Sequence, residues 1–373
     1  MSRRRRAASC LTGEARPDDD GDSEVSSFEG ETGRHGGAGV GLEDRSADAG
    51  KKEAGIVGDA KLLSMKHKFC RRELRRPQRD RVGENSAMIL LTLSAALLPP
   101  VQKPPNWSPP EPKMFVGSFP MSTLASGGVA TALRLASGVF AAGWRPGFAL
   151  EDDGRYALYG FRDTSMLQTA PRPAQPLVLY EYEASPFCRK VREACSTLGL
   201  RVTMMPCPGA RAGFAKALED AGGKMVVPYL VDPNRDVAMY ESDDIIDYLY
   251  DTYGPGREAK PPPLDVTAAL ASIARGMEGS KKDPAARPDT AKLEPIELWM
   301  YEGSPYARPV RERLTALCLP HTVVYCPRGG PSRDEMFQRL GRFQVPFLSD
   351  PNTGCEMFEG GAMVEYLDEV YRL

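Results

Sequence analysis

The chain has few of the features that mark the common functional classes. Its eight cysteines include no C-x-x-C pair and its three histidines are isolated, which argues against a zinc ribbon, a disulfide framework and a histidine metal site. A net charge of −2 over 373 residues provides no basic field for general nucleic-acid binding. We therefore expect a protein of a reducing compartment, long enough for two or three domains.

The front of the chain lacks apolar periodicity and is rich in charge and glycine, which predicts a disordered or targeting region over 1–103. The basic run at 66–81 fits a nuclear signal, an RNA-binding patch or a solvated charge run. Residues 88–98 form an apolar stretch that is too short to span a bilayer and is typical of a signal-peptide core. Met88 is therefore an alternative to Met1 as the start of the chain.

A connector is predicted over 104–175, beginning with a proline-rich spacer. Residues 122–144 within it are mildly apolar and glycine-rich, and they are interrupted by Arg134. Small residues suit close packing of membrane helices, but a charged residue makes spanning costly. We predict a helix that lies on the domain that follows.

The next segment combines a strand, a tight turn and a helix whose first turn carries a cysteine. The apolar run 177–180 predicts a buried strand, and Ser185 followed by Pro186 is a strong helix-start signal. A helix N-terminus directs free N–H groups and a partial positive charge at the preceding turn, which favours a thiolate at Cys188. This layout is typical of thiol chemistry in thioredoxin-type domains.

The same segment occurs a second time, displaced by 119 residues, so that Ser304 matches Ser185. The match continues through a Val-Pro pair, an Asp-Pro-Asn turn and a Met-aromatic-Glu triplet, which indicates a duplicated domain. Each copy is predicted to be β-α-β-α-β-β-α, a mixed four-stranded sheet with helices on both faces. In the first copy the predicted strands are 177–182, 202–207, 228–231 and 237–240, and the predicted helices are 187–198, 214–221 and 243–253, the last capped by Ser242.

The fold class is therefore α/β, with two tandem thioredoxin-like domains. They are predicted at 176–254, called the first repeat below, and at 295–373, called the second repeat. Residues 255–294 are predicted to be a linker with one amphipathic helix at 264–277.

The order strand, Ser-Pro-Phe-Cys, helix, Val-Val-Pro, hairpin, Glu-Ser resembles the N-terminal, thioredoxin-like domain of glutathione S-transferases and of the related glutaredoxins. The tandem copies, with Cys-Pro after the second strand and Asp-Pro-Asn in the hairpin, are similar to plant and algal plastid proteins that carry two such domains. The resemblance implies glutathione as a ligand or cosubstrate. It also implies a plastid location, with the cytoplasm as the alternative.

By this resemblance, the first repeat holds the glutathione-binding residues. Pro228 would be a cis-proline, and the backbone of Val227 before it would pair with the cysteinyl part of the tripeptide. Glu241 and Ser242 would receive the γ-glutamyl end, and Lys224 is a candidate partner for the glycine carboxylate.

Ser185 and Cys188 are the candidate catalytic residues. The resemblance implies that the Ser185 hydroxyl contacts the glutathione sulfur, whereas the helix-start signal by itself favours a capping role for this serine; the two roles can coexist. Glutaredoxins carry a nucleophilic cysteine at this first position, so a dithiol cycle within the motif is excluded. The second repeat has Ser304 and Ala307 at the equivalent positions, and Gly360 replaces Ser242.

Two functions remain open at the level of the sequence. The first is a glutathione-binding protein with weak transferase or thiol-transfer activity in the first repeat. The second is a non-catalytic interaction or assembly protein that uses the fold as a docking surface for a protein partner. The large helical domain of the transferases follows neither repeat, which favours the second function, whereas the intact Val-Val-Pro and Glu-Ser pairs favour glutathione binding.

The remaining cysteines and the basic residues of the motif helices are interpreted as structural. Cys195 is predicted to be a core residue, and Cys355 an exposed residue of a hairpin turn. Cys207 and Cys326 are interpreted as small strand-end residues or, alternatively, as resolving thiols. Four arginines are predicted to face solvent: Arg189, Arg192, Arg308 and Arg311.

Overall fold

The computed structural model describes residues 98–113, 119–147, 163–262 and 265–373. Predictions that fall on residues 1–97, including the basic run and the alternative start, lie outside them. The strands are β1 Leu177–Glu181, β2 Arg201–Pro206, β3 Tyr229–Asp232, β4 Val237–Met239, β5 Ile296–Met300, β6 His321–Tyr325, β7 Phe347–Asp350 and β8 Cys355–Phe358. The α-helices are α1 Met121–Leu133, α2 Pro186–Thr197, α3 Ala215–Gly222, α4 Ser242–Tyr253, α5 Asp265–Ala274, α6 Arg308–Ala316, α7 Ser332–Leu340 and α8 Gly360–Tyr371.

Each repeat has the predicted thioredoxin-like order of elements. In the first repeat, β1 runs parallel to β2 and antiparallel to β3, and β4 completes the hairpin. The second repeat pairs β5 to β8 in the same way. The apolar residues of the crossover helices α2 and α6 pack in the main core, as their spacing predicts, and the charged residues of both helices are largely buried as well.

The two repeats share one eight-stranded sheet in the order β4-β3-β1-β2-β6-β5-β7-β8. They join through β2 and β6, which pair antiparallel. Thr203 lies opposite Thr322, its own counterpart in the second repeat, and their hydroxyl oxygens are 2.9 Å apart. A pseudo-two-fold axis therefore passes between these two threonines.

The Asp-Pro-Asn turns hold each hairpin to the last helix of its repeat. The buried carboxylate of Asp232 accepts hydrogen bonds from the hydroxyls of Tyr248, at 2.7 Å, and Tyr253, at 2.5 Å. Asp350 accepts the equivalent bonds from two tyrosines of α8, at 2.6 and 2.7 Å. The Asp-Pro-Asn motif therefore has a structural role in both repeats.

The duplication extends to a helix before each repeat. Arg134, just after α1, forms a buried ion pair with Glu193 of α2 at 2.5 Å, and Arg275, just after α5, pairs with Glu312 of α6 at 2.5 Å. The α5 helix confirms the linker helix predicted at 264–277. The predicted contact of α1 needs correction, because this helix also lies on the second repeat: the Thr131 hydroxyl donates to the Gly303 carbonyl at 3.1 Å.

The segment at 98–113 packs on the second repeat. Val101 lies against the main core, and Arg287 donates a hydrogen bond to the carbonyl of Pro99 at 3.1 Å. The predicted disordered or targeting region, 1–103, therefore includes residues 98–103, which are part of this packed segment. None of the helices in the described ranges is long and apolar enough to cross a membrane.

Candidate functional site

The Ser-Pro turn of each repeat is buried and capped as predicted. The Ser185 hydroxyl oxygen accepts a hydrogen bond from the backbone N–H of Cys188 at 3.3 Å, and Ser304 does the same for Ala307 at 3.3 Å. The two serines are only 2% and 1% exposed. Ser185 is therefore the N-cap of α2, whereas Ser304 makes the same hydrogen bond in the turn just before α6, whose cap position is Ala307.

Cys188 is fully buried, and burial raises the pKa of its thiol to about 12. The negative charge of Glu181 raises the pKa further, whereas the Ser185 hydroxyl and Arg192 oppose the shift. Desolvation therefore outweighs the helix N-terminus, and the side chain is a neutral thiol near pH 7. This arrangement provides no thiolate nucleophile at the motif.

A loop from outside the repeat covers each Ser-Pro turn. The Cα of Gly279, just beyond α5, lies so close to the first turn that an added Cβ would be 2.8 Å from the Cβ of Glu183. Gly138, beyond α1, approaches Glu302 of the second turn equally closely, at 2.8 Å. Both glycines also have positive φ angles, 73° and 78°. A side chain at either position is therefore disfavoured by the close contact and by the backbone conformation.

The prediction that the four motif-helix arginines face solvent is wrong. Arg189, Arg192, Arg308 and Arg311 are at most 2% exposed. Arg192 forms an ion pair with Glu181, and Arg311 pairs with Glu302 and, at 2.8 Å, with Glu183. The sequence carries a signal for this cluster that we did not use, because both copies keep glutamate and arginine at the same spacings around the turn.

The cysteines outside the motif are also buried. Cys195, Cys207 and Cys326 are fully buried, and burial raises the pKa of all three thiols. Cys355 was predicted to be exposed in a turn, but it begins β8 and is 4% exposed. The hairpin turn ends at Gly354, so Cys355 is the first residue of the strand and its side chain packs in the core.

The predicted glutathione-binding residues of the first repeat lie in the segment before β3 and at the start of α4. The Val227–Pro228 bond is cis, as the resemblance implied, and no backbone hydrogen bond of Val227 occurs within the described residues. Glu241 is exposed and has a φ angle of 67°, and Ser242 begins α4. Glu241, not Ser242, occupies the cap position, and neither side chain caps the helix, which corrects the predicted cap.

Lys224 lies at the entrance to this groove. Its side chain is exposed, its ammonium nitrogen is 5.7 Å from the centre of the Tyr240 ring, and its carbonyl accepts a hydrogen bond from the Tyr240 hydroxyl at 3.0 Å. The backbone of the loop is thereby fixed while the ammonium group stays in solvent. Val227, Pro228, Glu241 and Ser242, together with this lysine, form what we call the first groove.

The equivalent groove of the second repeat is filled by the chain itself. The Glu359 carboxylate, 6% exposed, accepts hydrogen bonds from the backbone N–H of Lys113 at 2.7 Å and from the Gln344 amide at 3.1 Å. A Cβ on Gly360 would lie 2.7 Å from the Phe119 ring. The glycine that replaces serine here therefore makes room for the connector.

The strand order, the buried turn and the cis-proline of each repeat define a pair of thioredoxin-like domains. Residues 179–260 and 298–373 match the glutathione S-transferase N-terminal domain, and these two segments belong to that family. The chain is 32% identical over 81 residues to the glutathione S-transferase-like protein OpS6 of Beauveria bassiana, a match that covers 22% of this chain and 37% of that protein.

Two solved structures show weaker similarity. The glutathione transferase BmGSTD1 of Bombyx mori is 24% identical over 23% of this chain and 39% of its own, with a TM-score of 0.20. The trimeric glutathione transferase TDR1 of Leishmania is 14% identical over 54% of this chain and 68% of its own, with a TM-score of 0.21. The family assignment therefore depends on the two matched segments.

Proposed function

We propose that the first repeat binds glutathione and that the second does not. The observation that carries the proposal is the contrast between the two grooves. Glu241 is exposed, whereas its counterpart Glu359 is buried and hydrogen-bonded to Lys113. The family relationship gives the ligand class, and the contrast selects the repeat.

Each part of the tripeptide has a complementary group in the first groove. The free backbone of Val227 suits antiparallel pairing with the cysteinyl residue, and the Glu241 carboxylate suits the γ-glutamyl ammonium group. The γ-glutamyl carboxylate would accept from Ser242 and from the N–H groups that begin α4. Asp243 opposes that carboxylate, but the Lys190 ammonium pairs with it at 2.9 Å and reduces the repulsion.

Glutathione binding is best tested by calorimetric titration of the full chain. Glu241→Gln or Ser242→Gly should weaken binding about tenfold to a hundredfold, since each removes a charge-assisted hydrogen bond. Glu359→Gln is the matched control in the second repeat and should leave the affinity unchanged. The proposal would be contradicted if the unmodified chain did not bind glutathione. It would also be contradicted if Glu359→Gln lost as much affinity as the two variants of the first repeat.

Catalysis by this site is expected to be weak. Ser185 is 2% exposed and Cys188 is a neutral thiol, so neither offers an accessible nucleophile or a base. The same burial favours the second candidate function, in which the domain pair is a docking module that does not turn over a substrate. Tight glutathione binding without transfer to an electrophile or a mixed disulfide would support the docking module.

The location in a plastid remains part of the proposal and rests on the similarity to tandem plastid proteins. Microscopy of the chain fused at its C-terminus to a fluorescent protein tests it. Signal confined to the cytoplasm would contradict a plastid location.

A further inference from the structure

A cluster of buried charges fills the space between the two repeats and the loops that cover them. Six arginine and five glutamate side chains belong to it, each at most 9% exposed. The arginines are Arg134, Arg189, Arg192, Arg275, Arg308 and Arg311, and the glutamates are Glu181, Glu183, Glu193, Glu302 and Glu312. The cluster therefore carries more cationic than anionic groups.

Among the described residues, two arginines of the cluster have no carboxylate at ion-pair distance, although the charges of Glu183 and Glu302 act on both from further away. Arg192 and Arg311 share the central glutamates, and the outer arginines are paired with Glu193 and Glu312. Within the described residues, Arg189 and Arg308 form no ion pair. Arg308 reaches only the backbone carbonyl of Glu302, at 3.4 Å.

The unpaired arginines carry free donors in a dry environment. The Nε and Nη1 atoms of Arg189 and Arg308 are buried and have no hydrogen-bond partner, and the two side chains are 1% and 2% exposed. A buried guanidinium without a partner is costly, so such groups in native proteins usually meet water or an ion.

These two arginines are counterparts in the duplicated motif. Arg189 lies in the first turn of α2 and Arg308 begins α6, so each stands near a helix N-terminus. Arg189 lies three residues before Arg192 on the same face of α2, and Arg308 has the same position relative to Arg311 on α6. Arg192 and Arg311 both reach across to the other repeat, at 3.5 Å from Glu302 and 2.8 Å from Glu183, so the two unpaired arginines face the same contact between the repeats. Free N–H donors, two cations and two helix N-termini all favour an anion.

The geometry points to a small-anion site between Arg189 and Arg308, with chloride as its simplest occupant. One monovalent anion would compensate the excess cationic group of the cluster and accept hydrogen bonds from donors of both repeats. The site is separate from the first groove, because its donors are at most 2% exposed, whereas Lys224 and Glu241 are exposed. It would make the contact between the repeats dependent on a bound ion.

The first test measures the stability of the full chain in chloride and in gluconate at equal ionic strength. Gluconate is too large for a site whose donors are at most 2% exposed, so it screens charge without occupying the site. Once chloride exceeds its dissociation constant by about a hundredfold, the folded-to-unfolded ratio should rise by about a hundredfold. Identical stability in the two salts would overturn the proposal.

The second test removes one donor. Arg308→Met should abolish the difference between chloride and gluconate, and in gluconate it should be at least as stable as the parent chain, because no carboxylate loses its partner. Arg257→Met, at a side chain that is 60% exposed, is the control and should retain the chloride effect. A chloride effect that persists in Arg308→Met would refute the site.

A third measurement does not depend on any variant. Crystals of the native chain soaked in bromide should show an anomalous peak within hydrogen-bond distance of both guanidinium groups. A peak there supports the anion site. Density that refines as water alone overturns it.

Discussion

Cys188 shows how burial decides the chemistry of a single residue in this protein. It stands in the first turn of a helix, where the helix dipole stabilises a thiolate, but its pKa is raised to about 12. The helix start therefore favours a thiolate, and complete burial of the side chain disfavours it more strongly.

We therefore expect Cys188 to resist alkylation in the folded chain. Iodoacetamide at mildly alkaline pH should modify Cys188 only after denaturation, because the thiolate is scarce and the side chain has no exposed surface. Peptide mapping by mass spectrometry measures this directly. Cys188→Ala should fold normally, since Ala307 fills the equivalent position, and rapid labelling of native Cys188 would disprove the assignment.

His321 should make stability fall in weakly acidic solution. Burial lowers the pKa of this histidine from 6.5 to about 4, so between these values the unfolded chain binds a proton that the folded chain does not. The free energy of unfolding should then decrease by up to about 1.4 kcal/mol for each unit that the pH falls through this window.

The His321 prediction is checked by denaturant unfolding at several pH values in parallel with His321→Gln. The variant should show a shallower slope between pH 6.5 and about 4 than the parent chain. Equal slopes would mean that other groups account for the acid sensitivity.

The sequence predicted single residues best where the signal is local. Ser185 and Pro186 begin α2 as expected, because a capping hydroxyl and a proline act within one turn. The arginines of the motif helices were misjudged because their partners are distant: Arg311 reaches Glu183 across the two repeats. The closed state of the second groove could not be predicted either, since it depends on where Lys113 and Phe119 pack.

At the scale of elements, α1 and α5 act as a matched pair of covers. Each is followed by an arginine that bonds to the motif helix and also to the other cover: Arg134 donates to Thr267 at 2.6 Å, and Arg275 donates to Ser126 at 2.5 Å. This part of the duplication is hard to detect in the sequence, because the segment between α1 and the first repeat is longer than the segment between α5 and the second repeat. The predicted bounds of the strands and helices of the first repeat agree with the structure to within one residue at each end.

Loss of either cover arginine should destabilise the chain strongly. Arg134→Met leaves Glu193 buried without its partner, and Arg275→Met does the same to Glu312, so we expect a cost of about 3–5 kcal/mol in each case. Urea unfolding of both variants gives the values. Arg257→Met, which removes an exposed ion pair, should cost less than about 1 kcal/mol, and similar effects in all three variants would contradict the role of the covers.

At the scale of the whole molecule, the eight-stranded sheet makes the repeats interdependent. The edge strand β2 of the first repeat pairs with the edge strand β6 of the second. Buried ion pairs also join the repeats, since Arg192 reaches Glu302 and Arg311 reaches Glu183. The sequence predicted two domains in tandem. It could not show that they share a sheet, because strand edges that pair with one another look the same in sequence as strands that end a sheet.

An excised first repeat should therefore fail to fold cooperatively. A fragment covering residues 163–262 would expose the edge of β2 and leave Glu183 without Arg311. Calorimetry and near-ultraviolet circular dichroism should show one transition for the full chain and none for the fragment. A sharp transition and a native-like aromatic spectrum for the fragment would show that the repeats fold independently.

The pseudo-two-fold pairing at Thr203 and Thr322 is the geometry of a homodimer built into one polypeptide. In a true homodimer, dilution would separate the halves, and every substitution would appear on both sides of the axis. A covalent link keeps each half at a constant effective concentration of the other and lets the halves change separately. The two repeats differ in this way at Ala307, the counterpart of Cys188, and at Gly360, the counterpart of Ser242. Because the halves can change separately, the second could lose its groove while the first kept its own.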